Sequence, residues 1–151
     1  MPKDVPLSEI ILRKYEKPYN IEKRQLVKKI CLSLGLLQPG DSRDVIIDVL
    51  MVLLEERENK SKLDSYQIKA KVEEMRTKHN LEMRGIAESN IRRQLKRLRD
   101  LMIIEKKQNL YYISEFESLH EIFEQKIQKL IVDPSIERLK DYLKELDKPK
   151  D

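Results

Sequence analysis

Apolar residues recur with helical spacing along most of this chain, and breaks in that rhythm mark its elements. Residues 1–7 read as a loose start. Ser8 is placed to cap a short helix bearing Ile10, Ile11 and Tyr15, which must stop near Lys17 because Pro18 follows. Asn20 suits the cap of a second helix, with Leu26, Val27, Ile30, Cys31 and Leu34 on one face. Gly35 stands where a helix commonly ends in a left-handed residue. Pro39-Gly40 then makes a turn and a boundary. A third helix is expected from Asp41 or Ser42 to Glu58, with Val45, Ile46, Val49, Leu50, Leu53 and Leu54 as its broad apolar stripe. A fourth follows, capped at Asp64 or Ser65. Gln67 completes a capping box with Asp64, the apolar face is Ile68, Val72 and Met75, and the helix can run through Lys78.

The fifth segment, Glu88–Leu101, differs in what covers its outer face. Ile91, Leu95, Leu98 and Met102 are spaced four, three and four apart and share one side. Ser89, Arg92, Arg93, Lys96, Arg97 and Arg99 lie opposite. Two short runs rich in β-branched and aromatic residues, Met102–Glu105 and Leu110–Ile113, flank Lys106-Lys107-Gln108-Asn109 and predict a hairpin. Tyr111 and Tyr112 must then point to opposite faces. Beyond it, Ser114 with Glu117 resembles another capping box, heading a helix lined by Phe116, Leu119, Ile122, Phe123, Ile127, Leu130 and Ile131. Asp133-Pro134 is expected to start a last helix, with Ile136, Leu139, Leu143 and Leu146 as its stripe.

Charge changes the picture at one place. Between Glu88 and Lys107 seven basic residues face three acidic ones, a net of +4, which equals the formal charge of all 151 residues. The remainder sums to zero, so the excess is confined to one helix face and a hairpin, which points to a polyanionic partner. The 38% charged fraction leaves 40% hydrophobic residues, enough for a core, and the Lys/Glu-rich surface is of the kind found in thermophiles.

The order helix, helix, basic helix, hairpin resembles the winged helix-turn-helix regulators of bacteria and archaea. Ile86-Ala-Glu-Ser-Asn-Ile-Arg-Arg-Gln-Leu-Lys-Arg-Leu-Arg-Asp-Leu looks like their recognition helix. The resemblance covers residues 41–114. It implies a mostly α fold with a small β-hairpin wing, residues 1–40 forming an amino-terminal helical extension and 115–151 a carboxy-terminal helical segment for packing or dimerisation. It also implies a transcriptional regulator that reads double-stranded DNA. By the family's docking geometry Ser89, Asn90, Arg92, Arg93 and Lys96 would meet base edges, and Arg97, Arg99, Lys106 and Lys107 would meet phosphates. The family often ends this helix in Leu-Gly, where this chain has Leu101-Met102. Methionine tolerates a left-handed backbone poorly, so a different exit is expected.

No catalytic or metal site is legible. His79 and His120 are isolated, Cys31 has no companion for a disulfide or a ligand set, and no glycine-rich phosphate loop is present. The expectation is therefore a cytoplasmic, prokaryotic, non-enzymatic DNA binder without cofactor or membrane span, homodimeric through its terminal helices. The alternative is a winged-helix adaptor that meets RNA or a protein in a transcription, replication or ribosome-associated assembly.

Overall fold

The computed structural model describes Asp4, residues 8–41 and residues 43–150. The expected loose start at residues 1–7, apart from Asp4, and a helix start at Ser42 lie outside them. Two compact units divide the chain, Met1–Phe116 and Glu117–Asp151. The structure is mostly helical with one antiparallel hairpin.

In the first unit the order is α1 (Lys23–Ser33), α2 (Val45–Arg57), α3 (Ser65–Lys78), α4 (Glu88–Asp100), β1 (Ile104–Lys107) and β2 (Leu110–Ile113). α2 is the centre. All ten residues from Val45 to Leu54 are buried, so this helix is apolar on every side rather than along a stripe, as expected when neighbours surround it. α1, α3, α4 and β2 all pack against it. They contribute Val27 and Cys31, Ile68 and Val72, Ile91, Leu95 and Leu98, and Ile113. Cys31 is fully enclosed, and burial pushes its thiol pKa up to about 12, which makes it a packing residue rather than a nucleophile.

Several expected boundaries move. Residues 8–18 form no helix. Ile11 N–H donates to the Ser33 carbonyl, Glu16 pairs with Lys29, and Lys29 sits over the Tyr15 ring, so contacts with α1 outcompete a short local helix. Asn20 adopts a left-handed φ of 54° and caps nothing; α1 begins after Glu22. α2 begins after Asp44, whose carboxylate is engaged elsewhere and makes no cap bond. The Asp64–Gln67 capping box of α3 forms in both directions, at 2.8 and 2.9 Å.

The hairpin turns on Gln108 and Asn109 alone, with φ of 53° and 63°, the pair of left-handed residues that a tight two-residue turn requires. Lys106 and Lys107 therefore belong to β1, which starts two residues later than the apolar pattern implied. Tyr111 faces the core, and Leu63 from the α2–α3 connection exchanges two backbone bonds with it. Tyr112 points the other way, stacked on Phe116 at 5.1 Å with Lys62 over its ring.

Ser114 is not a cap. It is buried, and its hydroxyl donates to the Met102 carbonyl, tying the base of the hairpin to the end of α4. In the second unit the cap is Ser118, accepting from Glu121 N–H. Here α5 (Leu119–Ile122), a π-helical stretch (Phe123–Val132) and α6 (Asp133–Leu146) follow without a break. Asp133 has helical φ and ψ and interrupts nothing. Pro134 lacks an N–H, and in an α-helix its ring would collide with the carbonyl four residues back. The wider π turns before it relieve that clash, so one helix continues where two were expected.

Candidate nucleic-acid interface

α4 is fixed from below. Ile91, Leu95 and Leu98 are fully buried, which leaves Ser89, Arg92, Arg93, Lys96 and Arg99 exposed on the opposite face. Arg93, Arg99 and Lys107 have no ion-pair partner among the described residues. Lys96 Nζ lies 2.9 Å from Asp100, and Arg92 Nε 4.0 Å from Glu88. Each pair spans one helical turn; the Lys96–Asp100 pair faces solvent and Arg92 meets the half-buried Glu88 only at long range, so both cations can exchange these contacts for another anion.

The same face continues into the hairpin. A groove of about 590 Å³ between α4 and β1 is lined by Lys96, Arg99, Lys106 and Lys107 against Asp100 and Glu105, with Ile104 and Tyr112 on its floor. Four cations against two anions keep it positive. Lys106 lies 5.5 Å from the Tyr111 ring centre, a cation–π contact that holds its stem along the strand.

The start of α4 is held by backbone and amide contacts rather than by a side-chain cap. Ala87 is the capping residue and offers no side-chain acceptor. Asn90 Nδ2 donates to the Gly85 carbonyl at 2.6 Å, and Asn90 Oδ1 accepts from Gln94 at 3.0 Å. Gly85 has a φ of 80°, and a Cβ there would come within 3.0 Å of the Asn90 amide, so glycine is needed for this clamp. Glu88 Oε1 accepts from Ser65 Oγ at 2.6 Å, which joins the beginnings of α3 and α4. Arg97, the one half-buried arginine of the helix, donates to Gln94 and to the Gly35 carbonyl at 2.9 and 3.2 Å. Of the nine residues singled out in sequence, seven thus lie on the exposed helix face or β1. Asn90 and Arg97 are turned into the protein's own framework.

Sequence reading missed the cluster that sets the angle of this framework. Asp48 is fully buried in α2 and is bound by Arg24 of α1 and, at 2.6 Å, by Arg76 of α3. Asp44 joins both arginines at 3.2 and 3.0 Å, and Arg76 Nε donates to the Glu82 carbonyl in the loop before α4. Burial works against the charge of Arg24, but the carboxylates of Asp48 and Asp44 outweigh it and hold its pKa above the ordinary value. The signal was there. A carboxylate among nine apolar residues requires a buried cation, and Arg76 continues the Ile68–Val72 spacing of α3 by four.

Among the described residues one set, His120, Glu121 and Glu124, brings metal-ligating atoms within 4.8 Å, all of it exposed and with His120 already 3.2 Å from Glu124. Among the described residues no helix is long and apolar enough to cross a membrane. No family model matches the chain, and neither any curated protein nor any solved structure matches it.

Proposed function

We propose that this protein binds duplex DNA through the exposed face of α4 and the adjoining hairpin, as a winged helix-turn-helix regulator of transcription in a prokaryotic cytoplasm. The observation that carries the reading is the run of exposed cations from Arg92 through Arg99 to Lys107, in a segment, Glu88–Lys107, whose charges sum to the net charge of the whole chain. α4 is rigidly seated, stands after α3 in a helix-turn-helix order, and offers short polar and basic side chains on its first turns.

In this reading Ser89, Arg92, Arg93 and Lys96 enter the major groove, arginine being suited to guanine O6 and N7. Arg99, Lys106 and Lys107 meet phosphates on the groove's flank. Asn90 and Arg97 act by position. The amide of Asn90 is already satisfied by Gly85 and Gln94, and the guanidinium of Arg97 by Gln94 and Gly35, so their part is to fix the helix.

Fluorescence anisotropy with random duplex DNA, from about 50 to 200 mM salt, tests the proposal directly. Affinity should fall steeply with salt. The slope of log K against log salt should flatten by about 0.9 for each phosphate contact removed, and hence by up to about 2.7 in an Arg99→Ala/Lys106→Ala/Lys107→Ala variant. A folded wild-type protein that fails to bind at low salt would sink the reading.

A further inference from the structure

The outer face of α6 carries apolar residues that the chain itself leaves open. No residue of this 14-residue helix is buried, yet Ile136, Leu139, Leu143 and Leu146 recur at spacings of three, four and three with exposures of 47, 56, 52 and 82%. Large aliphatic side chains repeated on one side of a helix form a seam for another helix. The charges around them are already matched within the chain: Lys140 pairs with Glu137, Arg138 with Asp141 and Lys148 with Glu145. α6 holds four acidic and three basic residues, a net of −1, so it neither repels another copy of itself nor attracts a strongly charged partner.

We infer that the occupant of this face is α6 of a second copy of the chain, aligned in parallel. Ile136 and Leu143 take the first core position of each heptad and Leu139 and Leu146 the fourth, a two-heptad apolar seam with one β-branched residue at the first position. The flanking positions decide direction. In parallel register Ser135 faces Lys140 and Tyr142 faces Asp147 of the other copy, so no like charges meet and the tyrosine hydroxyl can donate to the carboxylate. In antiparallel register Lys140 would face Lys140, and Asp133 would face Asp147, each a repulsive pair. The inference is independent of whether the protein binds DNA.

Sedimentation equilibrium of the full chain, extended to about 100 μM so that a weak specific interface is still populated, reads the outcome. The wild type should be a dimer and a Leu139→Glu/Leu143→Glu variant a monomer with unchanged helical circular dichroism, because both positions are already exposed. Direction is read with Leu146→Cys under mild oxidation. The one native thiol is fully buried, so the new cysteine alone can cross-link. In parallel register it meets its own copy and yields a covalent dimer. In antiparallel register it meets residue 136, about 15 Å along the helix from the other cysteine, and stays reduced. A monomeric wild type, or a dimer that survives the double glutamate substitution, would overturn the interface. A dimer that fails to cross-link would overturn the parallel alignment.

Discussion

Arg76 shows how one side chain can couple the core of the first unit to its surface. Its guanidinium reaches Asp44 and Asp48 on α2 and the Glu82 carbonyl ahead of α4, and it is 3% exposed. Two arginines and two aspartates therefore balance inside the protein, and removing one member leaves an uncompensated buried charge. Arg76→Ala should destabilise the protein by about 3–5 kcal/mol, read as a lower urea midpoint at unchanged slope. A loss no larger than that of an exposed pair, below about 1 kcal/mol, would mean that water reaches Asp48 and replaces the arginine. Asp48 was visible in the sequence as an interruption of an apolar run. Its partners were not, because Arg24 and Arg76 lie 24 and 28 residues away, and only packing brings them together.

All four α-helices of the first unit end in the same way. Gly35, Lys60, Asn80 and Met102 each take a left-handed φ, of 72°, 52°, 54° and 64°. In each case the next residue's N–H reaches back to the carbonyl five positions earlier: Leu36 to Cys31, Ser61 to Glu56, Leu81 to Arg76 and Ile103 to Leu98. Gly35 was legible as such an end, because glycine advertises the conformation. Met102 was read the opposite way, since a methionine bears a penalty there. The structure shows that the closing bonds, and the Ser114 hydroxyl on the Met102 carbonyl, impose the conformation anyway. The two sites should respond in opposite senses. Met102→Gly relieves a left-handed side chain and should raise stability by about 1 kcal/mol. Gly35→Ala introduces such a side chain and also drives a Cβ against the Glu9 backbone carbonyl, so it should cost more than about 1–2 kcal/mol. Thermal melts of the two variants check both signs, and a stabilised Gly35→Ala would show that residues 8–11 yield without cost. The long helices were legible for a different reason: their periodicity is strong. The short elements went astray for separate reasons: contacts with α1 outvote a local helix at residues 8–18, the two-residue turn at Gln108 and Asn109 shifts β1, and the π turns before Pro134 carry one helix through Asp133.

At the scale of the whole molecule, charge is sorted into two populations with different exposure. One is the buried set around Asp48, which is nearly neutral and shielded from counter-ions. The other is the exposed row on α4 and β1, six cations that stand in solvent. The placement of the second population was legible from the sequence, because charge counting needs only an amphipathic helix and a hairpin. That the first population fixes α1, α2 and α3 to the loop before α4 was not. Salt should separate the two cleanly. Screening over about 8–10 Å weakens exposed charges and scarcely touches enclosed ones. Between about 50 and 200 mM salt the unfolding midpoint should hold within a degree or two, while affinity for duplex DNA falls on the order of 100-fold or more if about four to six cations meet phosphates. A melting temperature that dropped in step with affinity would place the stabilising charges on the surface, and the Asp48 cluster would then be no more than a bystander. A constant melting temperature with a steep binding slope would separate the groups that hold α4 in place from the groups it presents.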